Sequence, residues 1–90
     1  MAKIISKKPH HSGYEGFDLI IDYGLKGKIE WSVLNFADSM RNHPCPYGIY
    51  LGWEALGDDK GEQIIIRDDN CEDLINKLIY YEKCINVKRS

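Results

Sequence analysis

No stretch of this chain approaches the ~18 consecutive apolar residues that a membrane-spanning helix needs, and no membrane partner is expected. The N-terminal run Lys3-Ile4-Ile5-Ser6-Lys7-Lys8-Pro9 is basic, but no apolar segment follows it. No signal peptide is therefore expected, and the expected location is cytoplasmic. Cysteine is scarce and odd in number, with Cys45, Cys71 and Cys84 making three. Reduced thiols are the simpler reading over a disulfide framework. No repeat period is visible.

The motifs that announce chemistry are also missing. Neither a G-x-G-x-x-G nor a G-x-x-x-x-G-K-[ST] phosphate loop occurs, and no cofactor is expected. No C-x-x-C or H-x-x-x-H pair is present. Cys71 and Cys84 fall thirteen residues apart on one expected helix, about 20 Å along its axis and on different faces, so they cannot share an ion. His10-His11 read as a pair on a mobile lead and His43-x-Cys45 as a loop, so no metal site is expected. The carboxylate pairs Asp58-Asp59 and Asp68-Asp69 have structural duties, in a hairpin loop and before a helix. Cys71 is expected at a helix start whose dipole favours thiolate, but Asp68, Asp69, Glu72 and Asp73 around it oppose another negative charge. The chain is not expected to be an enzyme.

What is present suits one small domain. The 90 residues are 43% hydrophobic and 29% charged, an ordinary globular balance with enough apolar surface for one core. Residues 1–13 read as a basic lead with a short strand at 3–6, residues 14–85 as the domain, and residues 86–90 as a frayed basic tail. Phe17, Leu19, Ile21 and Tyr23 alternate onto one face, the pattern of a half-buried strand. Lys28–Trp31 is either a short return strand or the start of a helix. Ser32 is the expected N-cap, because Val33, Phe36, Ala37 and Met40 recur at helical spacing over 33–42. Pro44 and Pro46 end that helix.

Residues 48–53 read as the next strand, with Ile49, Leu51 and Trp53 inward and Tyr50 outward. A loop at 57–61 and a β-branched strand at 62–67 complete a hairpin. Asp69-Asn70-Cys71-Glu72 matches a capping box with Asp69 as the cap. The following helix carries Cys71, Leu74, Ile75, Leu78, Tyr81 and Ile85 along one stripe. The expected fold is α+β in the order β(β)αββα, a largely antiparallel sheet of three to five strands with two helices packed on one face.

Charge is segregated beneath the net −2. Lys3, Lys7 and Lys8 open the chain without an acid, and Lys88 and Arg89 close it. Residues 12–85 hold the other 7 bases against all 14 acids, a balance of −7. Residues 54–73 alone hold eight acids against Lys60 and Arg67. If those acids share one end of the domain, their field attracts basic partners and repels nucleic acid. The leading expectation is a non-enzymatic protein-binding inhibitor whose acidic surface blocks a basic, nucleic-acid-handling partner. An immunity protein of a nuclease-type toxin and a phage-type anti-defence inhibitor both fit that description. Asp58, Asp59, Asp68, Asp69, Glu72 and Asp73 form the expected field, with Trp53 and Tyr50 as aromatic anchors. Two alternatives stand beside it: a nucleic-acid-binding accessory protein using the basic termini, and a small metal-binding protein or enzyme using His43 and Cys45. Oligomeric state is left open.

Overall fold

The computed structural model describes residues 2–39 and 51–81. Among these residues, five strands form one antiparallel meander in the order β1-β2-β3-β4-β5. They are β1 (Lys3–Pro9), β2 (Gly16–Asp22), β3 (Lys28–Asn35), β4 (Trp53–Asp59) and β5 (Glu62–Asp68). A single-turn α1 (Phe36–Ser39) follows β3, and α2 (Cys71–Ile79) follows β5. The fold is α+β, in the observed order βββαββα. No helix among the described residues is long and apolar enough to cross a membrane.

Alternation on β2 places Leu19 and Ile21 in the core, with Tyr23 following directly after the strand. Their partners on β3 are Trp31 opposite Leu19 and Ile29 opposite Ile21. Val33 and Ala55 face each other across β3 and β4 and are fully buried. Leu74 and Leu78, four residues apart on α2, close the core from the helix side. Tyr23 fastens that helix: its hydroxyl donates to the Leu78 carbonyl at 2.5 Å and accepts from Trp31 Nε1 at 3.0 Å. Burying two aromatic polar tips costs little when each meets a partner.

The expected helix over 33–42 is corrected by the structure. Residues 33–35 belong to β3, α1 spans only Phe36–Ser39, and residues 40–42 lie outside the described residues. Period-two burial of Ile29, Trp31 and Val33 prevails because β3 pairs on both sides, with β2 and β4. A strand so placed satisfies two ladders of backbone groups, which a weak helical periodicity cannot outweigh. The open choice at 28–31 resolves as strand, and Ser32 sits mid-strand opposite Asp18 and Leu56 rather than capping a helix.

Of the strand expected at 48–53, Trp53 alone among the described residues is strand: it opens β4, which runs to Asp59, whereas Leu51 lies before that strand and is exposed. Ile49 and Tyr50 lie outside the described residues. The inward face of β4 is Trp53, Ala55 and Gly57, too small-residued to show as a hydrophobic alternation. The hairpin loop shrinks to Lys60-Gly61, whose φ values of 56° and 83° match the paired left-handed residues of a two-residue turn. Asp58 and Asp59 are therefore strand residues. The cap of α2 is Asn70, which accepts the Asp73 N–H at 3.1 Å; Asp69 stands one residue before it. The shift follows from β5 running on to Asp68, whose carboxylate takes the Asn70 N–H at 3.0 Å. Of the expected stripe, Leu74, Ile75 and Leu78 face the core from α2; the helix ends at Ile79 with Tyr80 as its C-cap, Tyr81 packs on the core from beyond it, and Ile85 lies outside the described residues.

Candidate functional site

Among the described residues, the two edges of the sheet, β1 and β5, differ in how they meet solvent. β1 carries Lys3, Lys7 and Lys8, ends at Pro9 and has a register shift between Ile4 and Ser6. Lysines, proline and irregular pairing are what keep an edge from recruiting another strand. β5, at the opposite edge, carries Ile64, Ile65 and Ile66 in succession and pairs with β4 without a register shift. Ile65 is 50% exposed and Tyr80, just beyond α2, is 57% exposed. Between β5 and α2 runs an apolar groove of about 580 Å³, lined by Ile64, Ile66, Asp73, Lys77, Tyr80 and Tyr81 among others.

Acids flank this edge at both ends. Asp59 pairs with Glu62 at the hairpin tip, whereas Trp53 pairs with Asp68 at the other end. Six residue steps of strand separate Glu62 from Asp68, about 20 Å. Asp58 and Asp59 thus lie at one end, and Asp68, Asp69, Glu72 and Asp73 at the other, instead of together over one end as the sequence suggested. Asp58 Oδ1 accepts the Gly61 N–H at 2.9 Å. Asp68 is ion-paired to Lys77 at 2.9 Å. That lysine's hydrogen bond, with the Asn70 N–H, holds the Asp68 carboxyl below the usual carboxylate range. Asp69, Glu72 and Asp73 are exposed. Trp53 is half-buried, stacked on Phe17 with ring centroids 6.0 Å apart, so its surface goes largely to the domain's own packing. Tyr50, His43, Cys45, Lys88 and Arg89 lie outside the described residues, while Lys3, Lys7 and Lys8 stand on β1.

Burial, more than the neighbouring acids invoked from the sequence, pushes the Cys71 thiol up; Glu15 adds to the rise and Lys7 opposes it. A thiol so placed is a poorer source of thiolate.

A second cluster, unforeseen from the sequence, forms where β1 turns into β2. The His10 N–H donates to the Gly16 carbonyl at 3.2 Å and the His10 carbonyl accepts from Gly13 N–H at 3.1 Å, so the loop is tied at its base. The His10 and His11 rings stack at 4.2 Å. His10 is buried and reaches across β2 to Ser32 Oγ at 2.7 Å. Its Nδ1 accepts the Ser12 backbone N–H at 3.1 Å, which places the ring proton of the neutral form on Nε2, donating to Ser32. His11 Nδ1 lies 3.2 Å from Asp18 Oδ1. Beside the cluster, on the sheet face turned away from α2, a groove of about 360 Å³ is lined by Ser6, Lys8, Asp18, Glu30, Ser32 and Leu56 among others. The adjacent histidines were the only sequence signal; the spacing to Asp18 and Ser32 exists only once β1, β2 and β3 pair.

Burial pulls the His10 pKa below its ordinary 6.5, the His11 charge adds to the fall, and Asp18 partly opposes it. A proton on Nδ1 also removes the acceptor of the Ser12 N–H. The unfolded chain therefore binds this proton more readily, and the contribution of His10 to stability is complete above its ordinary 6.5 and is lost as pH falls below that value through the lower pKa of the folded state. Urea midpoints taken between pH 7.5 and pH 5 are expected to fall, and His10→Gln to flatten that stretch of the profile. An unchanged slope in the variant would remove His10 as the cause.

Comparison with protein families, with curated proteins and with solved structures finds no match for this chain.

Proposed function

We propose that this chain is a non-enzymatic protein-binding inhibitor that docks a basic, nucleic-acid-handling partner along the edge of β5. The observation that carries the reading is the contrast between edges: three consecutive isoleucines on a regular edge strand, beside an apolar groove, against a lysine- and proline-bearing opposite edge. An extended segment of a partner adds to such an edge through backbone hydrogen bonds, and side-chain pockets supply specificity. The acids at the two ends of β5 favour a segment with basic residues near both of its ends, and speed its encounter. A nuclease-type toxin or a nucleic-acid-handling defence complex presents such basic surface where phosphates bind, and carboxylates there exclude substrate by charge. Tyr80 is the aromatic anchor of this surface, a role the sequence had given to Trp53 and Tyr50.

The test is calorimetric titration against a panel of nuclease-type toxin domains, with Asp59→Lys/Asp69→Lys and Ile65→Lys as variants. Asp58 is spared because its carboxylate holds the hairpin turn, and Asp69 is not the helix cap. Both variants are expected to keep the far-ultraviolet spectrum of the parent and to bind at least tenfold more weakly. Binding unchanged in both variants overturns the reading. So does concentration-dependent self-association of the parent that Ile65→Lys abolishes, since the edge would then pair with a second copy.

A further inference from the structure

We propose that His10, His11 and Asp18 form a binding site for a borderline transition-metal ion, Zn²⁺ foremost, at the head of the groove on the open sheet face. One donor atom from each of the three residues lies within 4.8 Å of the others. A tetrahedral ion with bonds of about 2.0–2.1 Å sets its ligands about 3.3 Å apart. His11 Nδ1 and Asp18 Oδ1 stand at 3.2 Å, already at that separation. The third ligand then has to close by ~1.5 Å at most, a shift in which one His10 ring nitrogen exchanges its serine hydroxyl for the ion.

The surroundings fit ligation as well as the distances do. The loop that presents both imidazoles is closed by the His10–Gly16 and Gly13–His10 backbone hydrogen bonds, and Asp18 projects from the paired strand β2. Each ring nitrogen of His10 has a serine hydroxyl at 2.7 Å, Ser12 on Nδ1 and Ser32 on Nε2. Whichever nitrogen takes the ion, the other keeps an outer hydrogen-bond partner that fixes the ring, as metal-bound histidines generally require. Ser12 is exposed, so its N–H turns to water if Nδ1 must carry the proton. Two imidazoles with one carboxylate select a transition metal over Mg²⁺ or Ca²⁺, which prefer all-oxygen shells. Three protein ligands leave the fourth position to water, facing the 360 Å³ groove with Lys8 and Glu30 on its walls. This site is remote from the β5 edge, lying on the β1–β2 hairpin and β3, so it stands or falls apart from the docking surface.

Chelator-treated full chain titrated with Zn²⁺ by calorimetry, and with Co²⁺ by visible absorption, tests the site. One ion per chain is expected, with the absorption of tetrahedral Co²⁺. His11→Ala and Asp18→Asn are each expected to weaken binding at least tenfold. Both side chains are substantially exposed, so the apo variants should unfold at the parent's urea midpoint. Absence of binding overturns the proposal, as does binding that both variants retain. Zn²⁺ binding that survives these two changes but is lost in Cys45→Ser would assign the ion to His43 and Cys45 instead.

Discussion

Trp31→Ala is expected to remove about 3–5 kcal/mol of folding stability, the range for deleting a large buried aromatic. The side chain is 1% exposed and is the largest fully buried one in the described structure. It meets Tyr81 edge-on at 5.5 Å and gives its Nε1–H to Tyr23, so one substitution removes both contacts. The Tyr23 hydroxyl keeps its bond to the Leu78 carbonyl, which limits the polar penalty to one lost acceptor role. Against a typical total of about 5–15 kcal/mol, this loss leaves the domain marginal or unfolded at room temperature. Thermal melts followed by far-ultraviolet circular dichroism should show a fall of ~15 °C or more. A fall of only a few degrees would mean that Trp31 does not hold the core together.

Gly57→Ala is expected to destabilise the fold by about 1–3 kcal/mol, although alanine suits a strand interior better than glycine. A β-carbon at this position would stand 2.6 Å from Trp31 Cε3 and Cζ3, so the buried indole must move or the strands must part. Trp31 lies directly opposite Gly57 across β3 and β4. The glycine thus makes room for the indole, and the two substitutions should couple. In a Trp31→Leu background, Gly57→Ala should cost little, because the smaller side chain clears the β-carbon. A double-mutant cycle by urea unfolding measures that coupling. Additive losses would show that the contact does not strain the fold.

Several elements were legible in the chain because their signal is local. The alternation of Phe17, Leu19, Ile21 and Tyr23 reports one inward face regardless of neighbours, and the structure buries Leu19, Ile21 and Tyr23 and half-buries Phe17. Ile64, Ile65 and Ile66 suit a strand wherever they fall. Gly61 meets the positive φ that the turn requires. Leu74 and Leu78 recur at one helical turn and form the helix side of the core.

Other features depended on which strands lie side by side, and no local pattern encodes that. Residues 33–35 carried a fair helical periodicity, yet pairing on both sides drew them into β3. The inward face of β4 is marked by Ala55 and Gly57, whose smallness is explained only by the Trp31 indole across from them. The acids of residues 54–73 are close in sequence, but a strand rises about 3.3 Å per residue, so the length of the hairpin sets them at its two ends. His10, His11, Asp18 and Ser32 meet only because β1, β2 and β3 pair side by side.

The uneven charge, the scarcity of motifs and the α+β composition were thus properties of the chain alone, being sums over residues or local periodicities. Tertiary structure decided that β5 would be an edge, that the acids would flank it, and that two histidines dismissed as a loose pair would face a carboxylate. Strand adjacency is a long-range choice, made by whichever pairing buries the most apolar surface while satisfying the backbone.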